Sequence, residues 1–100
     1  MKELSALEVE KLINDGYELN IIDVREVDEV AEGMIPQATH IPLNAIPARY
    51  LELDKEKEYI MVCRSGGRSS QAVQFLEQKG FHAVNMKGGM MTWKGKVKRK

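Results

Sequence analysis

The sequence predicts an α/β domain with a mainly parallel sheet flanked by helices on both faces. Residues 19–24 and 59–62 form two nearly continuous apolar runs, which is typical of strands that are buried on both faces. Helical patterns alternate with the strand segments along the chain. Because strands that are joined by helices run parallel, we expect the helices to cover both faces of the sheet.

The first helix carries signals at both ends. Ser5 and Glu8 form a capping box, and Leu4 and Val9 stand where a hydrophobic staple would lie. Gly16 provides a stop. We therefore predict a helix that begins after Ser5 and ends before Gly16.

The later elements follow in order along the chain. They are a strand over 19–24, a short acidic helix ending at Gly33, a short strand around 39–41, a helix over 44–53, a strand over 59–62, a helix over 69–80, a strand over 81–86 and a short helix around Trp93. Pro42 stops the short strand, and Pro47 fits the first turn of the helix that follows it. Gly80 ends the helix over 69–80.

Length and charge limit the possible organisation. One hundred residues suffice for a single domain over 1–100, with no second core. The 15 basic and 15 acidic residues cancel, so the overall charge favours neither nucleic acid nor a membrane as the main partner. Residues 94–100 hold five basic residues and no acidic one, which leaves 10 basic against 15 acidic residues, a net −5, elsewhere. We expect a flexible tail here; a weak docking patch for an acidic partner is the alternative.

The chain favours a reducing compartment. Its first residues lack the apolar stretch of a secretory signal, and no apolar run approaches the ~18 residues of a membrane span. Cys63 is the single cysteine, so no internal disulfide can form and a cytoplasmic monomer is the simplest setting. We expect no metal and no cofactor, because Cys63, His40 and His82 lack the close spacing of metal ligands.

The loop over 63–69, "CRSGGRS", carries the chemistry. It follows a strand at the edge where open parallel sheets bind ligands, and it precedes a helix whose first amides have no partner. Its two glycines allow several N–H groups to point at one centre. A thiol in such a cationic cradle should ionise below the reference pKa of about 8.5, and its thiolate is a nucleophile. We predict Cys63 as the catalytic residue, and as substrate-binding residues Arg64, Ser65, Gly66, Gly67, Arg68 and Ser69.

Other interpretations of this cysteine fit less well. A buried structural cysteine is the plain alternative, because free cysteine is among the most buried residue types. A Cys–His dyad needs a nearby histidine, but His82 falls on the opposite edge of the predicted sheet and His40 has no clear place. The phosphate-binding motif G-x-x-x-x-G-K-[ST] is absent.

Four motifs resemble those of the rhodanese family of sulfurtransferases. "CRSGGRS" resembles the active-site loop of its small single-domain members, and "IIDVRE" resembles its D-x-R-E segment. "EGMIPQATHIPL" resembles the segment G-H-I-P-G-A-x-x-I-P, and "GGMMTW" resembles the closing G-G-x-x-x-W. Met34 and Gln37 stand where histidine and glycine are usual. We expect these two departures to alter a surface turn.

The resemblance implies a rhodanese-like, five-stranded sheet whose first strand lies near residues 2–4. It also implies that Cys63 takes the outer sulfur of thiosulfate or of a persulfide donor as a persulfide. Cyanide, a thiol or a protein cysteine then accepts this sulfur. The partners would be a small anionic donor and possible sulfur-donor or sulfur-acceptor proteins.

The residues themselves suggest the roles. The resemblance implies that Arg64 faces the anionic donor, as the basic residue after the cysteine does in family members. Arg68 could do the same or form a salt bridge to Asp23 or Glu26, and the sequence leaves both open. Ser65 and Ser69 could hydrogen-bond the persulfide. Alternatively, Ser69 could cap the helix. Two further expectations are structural: Asp23 and Arg25 hold neighbouring loops together, and Trp93 serves in packing.

Two rival functions remain. A cysteine phosphatase or arsenate reductase on this fold needs C-x5-R, whereas Cys63 and Arg68 have the spacing C-x4-R, which narrows the cradle to about one sulfur atom. A non-catalytic binding module would not need the cysteine.

Overall fold

The computed structural model describes residues 1–99 as an α/β domain with one five-stranded sheet. The strands are β1 Glu3–Ser5, β2 Asn20–Asp23, β3 Ala38–His40, β4 Glu58–Val62 and β5 His82–Lys87. The α-helices are α1 Ala6–Asn14, α2 Val27–Glu32, α3 Ile46–Arg49 and α4 Gly67–Gln78. Within these residues, no helix is both long enough and apolar enough to cross a membrane.

The sheet confirms the predicted fold class. Its strand order is β1-β5-β4-β2-β3, and each neighbouring pair is parallel. The carboxyl ends of all five strands therefore meet at one edge. β4 lies in the middle of the sheet, so the loop that follows it opens at the centre of that edge.

Both faces of the sheet are packed, because successive strand residues point to opposite sides. Ile22, Met61 and Ala83 pack on the side covered by α3 and α4. Their neighbours Ile21 and Ile60 pack with α1 on the other side. Cys63 continues the series of Met61 on the α4 side of the sheet.

The predicted capping box at the start of α1 is confirmed. The Glu8 N–H donates to Ser5 Oγ at 3.0 Å, and the Ser5 N–H donates to Glu8 Oε1 at 2.8 Å. Two donors that would otherwise be unpaired are thus satisfied. The box joins β1 to α1 without an intervening loop.

Two predicted helices differ from those observed. The helix expected over 44–53 is a 3₁₀ turn over Leu43–Ala45, α3, and a second 3₁₀ turn over Tyr50–Glu52. Pro47 has no N–H to bond the carbonyl of Leu43, so a continuous α-helix cannot run through this point. The helix expected around Trp93 is a 3₁₀ turn over Gly89–Thr92 that ends before the tryptophan.

The expectation for Met34 is wrong. Its side chain is only 2 % exposed, so it fills the core and does not alter a surface turn. Its backbone pairs with Lys98 through two hydrogen bonds of 2.8 Å. Gln37, in contrast, is exposed in a turn, as expected.

The basic C-terminal segment touches the domain at this same point. In addition to the two hydrogen bonds between Met34 and Lys98, the side chain of Val97 lies beside Gly33. The expected flexibility of residues 94–100 stays a prediction. Lys100, the last residue of this segment, lies outside the described residues.

Candidate active site

Cys63 lies directly after β4, at the carboxyl edge of the sheet. The loop that it begins is held from one side by the turn that follows β5. The N–H groups of Met90 and Met91 donate to the carbonyl oxygens of Cys63 and Arg64, each at 2.9 Å. These two segments therefore meet at the carboxyl edge of the sheet.

Polar groups of the loop and of α4 contact the Cys63 sulfur. The Gly66 N–H donates to Sγ at 3.0 Å, and backbone hydrogen bonds from Ser65 and Ser69 also lower the pKa of this thiol. Gly66 has φ +107°, a conformation that side chains rarely allow. The Ser69 hydroxyl lies 3.3 Å from Sγ on the helix side. Of the inward-facing amides that the sequence predicted, that of Gly66 donates to this sulfur.

Burial and hydrogen bonding act in opposite directions on the thiol. Burial raises the pKa of Cys63, but the hydrogen bonds from Ser69, Gly66 and Ser65 outweigh it and leave the pKa below its ordinary value. Cys63 is 1 % exposed. The residue is therefore buried, as the structural alternative requires, and it also has the polar cradle of a reactive thiol.

A buried asparagine, which the sequence did not reveal, completes this cluster. The Ser69 hydroxyl donates to Asn85 Oδ1 on β5. Asn85 Nδ2 donates to the Gly66 carbonyl at 3.3 Å and to Glu3 Oε2 at 3.1 Å. A signal was available: Asn85 is a polar residue in an apolar strand, two positions after Ala83, and so faces α4.

A comparison with protein families identifies the family of this chain. A family model described as the rhodanese-like domain matches residues 5–96. The chain belongs to the rhodanese-like domain family. The predicted resemblance to the rhodanese family is thereby confirmed.

Similar proteins support a sulfurtransferase function of rhodanese type. "Putative sulfurtransferase YtwF" of Bacillus subtilis (strain 168) is 50% identical over 100% of this chain and 97% of its own. A protein of Allochromatium vinosum named "Sulfurtransferase" is 35% identical over 93% of this chain and 88% of its own. The crystal structure of a rhodanese-like domain protein from Staphylococcus aureus superposes with a TM-score of 0.94 at 36% identity, covering 100% of this chain and 99% of that one.

In this rhodanese-like domain, Arg68 forms a salt bridge, but with neither of the partners that we expected. Its two Nη groups donate to the two carboxylate oxygens of Glu29 at 2.7 and 2.8 Å. The Arg68 hydrogen bonds lower the pKa of Glu29 to about 2, and the carboxylate raises the pKa of Arg68. Asp23 and Glu26 were the wrong candidates because Glu29 lies on the part of α2 that faces the loop.

Arg64 has a different environment. It is exposed and, among residues 1–99, takes part in no ion pair. It lines a depression of about 370 Å³ beside the loop, together with Arg25, Glu29, Glu32, Met90 and Met91. This arginine is therefore the loop cation that remains available to a ligand.

Asp23 and Arg25 have the structural role that the sequence suggested. Arg25 Nη2 donates to Asp23 Oδ2 and to the Gly33 carbonyl, both at 2.8 Å, and Asp23 is fully buried. The pair thus joins the end of β2 to the end of α2. His40 Nε2 lies 2.7 Å from the carbonyl oxygen of Arg25, and this contact gives that ring a structural partner.

The remaining candidates lie away from the sulfur. His82 begins β5 and pairs with Glu58 at the opposite edge of the sheet. Trp93 packs on the α1 side of the core, as expected, and its indole N–H donates to the Lys96 carbonyl at 3.0 Å. Within residues 1–99, no three His, Cys, Asp or Glu side chains are grouped so that they could hold a metal ion.

Proposed function

We propose that this rhodanese-like domain moves sulfane sulfur from thiosulfate or another persulfide donor to a thiophilic acceptor through a persulfide on Cys63. One observation carries the proposal: the loop N–H of Gly66 donates to the Cys63 sulfur at 3.0 Å. Such fixed donors stabilise negative charge on sulfur and need no rearrangement when the charge develops. The relatives named as sulfurtransferases support the general class of reaction.

In the first half of the reaction, the Cys63 thiolate attacks the outer sulfur of the donor. With thiosulfate, an S–S bond forms to Cys63, and the bond between the outer sulfur and the sulfonate sulfur breaks. Sulfite leaves with the electron pair of that bond, so no external oxidant or reductant is required. The negative charge of the thiolate passes to the terminal sulfur of the new persulfide.

In the second half, the acceptor removes this terminal sulfur. Cyanide, a thiolate or a protein cysteine attacks it, the S–S bond breaks, and the thiolate of Cys63 is regenerated. Backbone N–H groups of the loop over 63–69 hold the terminal sulfur between the two steps. A reducing compartment such as the cytoplasm suits this cycle, because it keeps a lone thiol free.

Access to the sulfur is part of the proposal. Since Cys63 is 1 % exposed, we infer that the turn over Ser65, Gly66 and Gly67 moves and exposes the sulfur when a donor binds. Gly67 has no neighbouring atom within 4 Å of the place where a Cβ would stand, so this side of the turn is unobstructed. Arg64, exposed beside the turn, would attract an anionic donor.

The geometry gives less support to a phosphatase or arsenate reductase. These reactions need an arginine that closes the loop around a tetrahedral oxyanion. Arg68 is the arginine at the end of this loop, and Glu29 occupies both of its terminal nitrogens. The C-x4-R spacing is also one residue shorter than the C-x5-R spacing that these enzymes need.

Intact-mass spectrometry after incubation with thiosulfate tests the proposal. We expect the protein to gain the mass of one sulfur atom and to lose it again on addition of cyanide. Cys63→Ser should show no gain, while its thermal unfolding curve stays close to that of the wild type, because only the nucleophile is removed. An unchanged wild-type mass, or a gain that persists in Cys63→Ser, would exclude the mechanism.

A further inference from the structure

The hydrogen bonds around Ser69 have a fixed direction. Asn85 Nδ2 faces two acceptors, the Gly66 carbonyl and Glu3 Oε2, so its amide oxygen has to point at Ser69. An amide oxygen only accepts hydrogen bonds, and a serine hydroxyl has a single hydrogen. The Ser69 hydrogen therefore goes to Asn85.

This direction matters for the sulfur. With its hydrogen on Asn85, the Ser69 oxygen presents a lone pair toward Sγ, 3.3 Å away. That arrangement suits a protonated Cys63, whose S–H can donate to Ser69. A thiolate needs a donor instead, so the Ser69 hydroxyl must turn toward sulfur and leave the buried Asn85 oxygen without a partner.

We propose that Asn85 is a positioning residue that holds the Ser69 hydroxyl hydrogen away from Cys63 and so controls, through Ser69, the charge state of the sulfur. Asn85 and Ser69 are 3 % and 0 % exposed, so water does not replace a lost partner at low cost. The hydroxyl would point to Asn85 when Cys63 is a thiol and to the sulfur when it is a thiolate.

This role in sulfur transfer rests on the proposed function. In each cycle the Ser69 hydroxyl would turn from Asn85 to the Cys63 sulfur and back. The thiolate draws the hydrogen to sulfur. Once the persulfide forms, the inner sulfur is neutral and a weak acceptor, and the hydrogen can return to Asn85. The charge is then on the terminal sulfur, which the loop N–H groups hold.

Other charged groups near the sulfur are engaged with one another. Arg68 on α4 pairs with Glu29 on α2, and Asp23 after β2 pairs with Arg25. Glu3 on β1 reaches the site only through Asn85, and Arg64 on the loop is exposed. None of them hydrogen-bonds Sγ, so the Ser69 hydroxyl is the side-chain contact that can differ between the two charge states.

The alkylation rate of Cys63 by iodoacetamide, measured against pH without a sulfur donor, tests this. Asn85→Ala should lower the midpoint by about 0.5–1 pH unit, because the freed hydroxyl can donate to the thiolate. In a Ser69→Ala background the same change should leave the midpoint where it is. Asn85→Val is the second variant and should lower the midpoint in the same way; valine is β-branched and therefore suited to a strand. Asn20→Ala, which removes a hydrogen bond to Glu58 at the opposite edge, is the matched control and should not move the midpoint.

A measurement on the unaltered chain avoids any effect on folding. The side-chain carbonyl ¹³C resonance of Asn85 should titrate with the midpoint of Cys63 alkylation, because its hydrogen bond is lost when the thiolate forms. The step should be absent in Cys63→Ser and in Ser69→Ala. Three results would overturn the role of Asn85. The first two are an alkylation midpoint that shifts equally with and without Ser69, and a midpoint that rises in Asn85→Ala. The third is an Asn85 resonance that does not change when the thiolate forms. Since no donor is present, each outcome is separate from a failure of sulfur loading.

Discussion

At the scale of single residues, the two arginines of the loop over 63–69 differ in their contacts. Arg68 binds Glu29 through both terminal nitrogens, and such bidentate pairs are among the strongest charge-assisted hydrogen bonds. Arg64, four positions earlier, is exposed and has no carboxylate partner within residues 1–99. This difference gives Arg68 a structural partner, and attraction of the anionic donor by Arg64 stays a proposal.

Arg64→Ala should therefore impair anionic donors selectively. We expect kcat/KM for thiosulfate to fall about 10-fold or more, the effect of losing a hydrogen bond to a charged group. The loss for an alkyl hydropersulfide should be smaller, since it lacks the anionic sulfonate group of thiosulfate. Arg49→Ala, which removes an arginine paired with Glu52 on α3, is the matched control and should leave both values unchanged. Equal losses for the two donors in Arg64→Ala would remove the assigned role.

Residue identities near the nucleophile were readable from the sequence, but their partners were not. Cys63 and the loop glycines stand together in seven consecutive residues, and their chemistry follows from that local order. Glu29 is 39 positions from Arg68, and Asn85 is 16 positions from Ser69. These pairs depend on how α2 and β5 pack beside the loop, which local pattern does not specify.

At the scale of elements, the turn after β5 acts as a support for the loop after β4. Its backbone donates two hydrogen bonds of 2.9 Å to the carbonyl oxygens of Cys63 and Arg64. This close approach requires Gly89, which is buried and has φ +57°. A Cβ at this position would overlap both carbonyl groups.

Gly89→Ala is expected to disrupt this support. Alanine would be strained at the positive φ and would also push the loop away from the turn, so both stability and sulfur loading should fall. Gly16→Ala is the matched control, because Gly16 has φ +90° but open space around the added Cβ. It should cost about 1–2 kcal/mol from backbone strain alone and keep full loading. Urea unfolding and intact mass give the two readouts; equal behaviour of the two variants would contradict the clash argument.

The elements differ in how well the sequence predicted them. The capping box and the two buried central strands rest on strong local patterns, and they were located to within about two residues. β1 has only three residues, Glu3–Ser5, and no periodicity can reveal so short a strand; it followed only from the family resemblance. The helix over 44–53 was divided because proline cannot supply the N–H that a continuous helix needs.

At the scale of the whole molecule, the topology assembles the site from distant parts of the chain. Glu3 on an edge strand bonds Asn85, 82 positions away, and Asn85 bonds Ser69 next to Cys63. The strand order β1-β5-β4 brings these three strands side by side. The first strand of the chain is therefore connected to the nucleophile through two buried side chains, Asn85 on the last strand and Ser69 on α4.

The Glu29–Arg68 pair joins α2 to α4 and links the stability of the molecule to pH. The pKa of Glu29 is about 2 in the fold against an ordinary value of 4.5. A carboxyl group with a depressed pKa stabilises the fold above its unfolded value and loses this contribution as the pH falls. Protonation between about pH 4.5 and pH 2 should thus weaken the fold.

The free energy of unfolding in urea, measured from pH 7 to pH 2 for the wild type and Glu29→Gln, checks this. The wild type should be more stable at pH 7 by about 1 kcal/mol, a value discounted because the pair is partly exposed to solvent. The difference should vanish near pH 2, where Glu29 becomes neutral like glutamine. Glu52→Gln, which alters an exposed pair with Arg49, should give a smaller difference throughout. Curves for wild type and Glu29→Gln that stay parallel down to pH 2 would mean that this pair does not hold the two helices together.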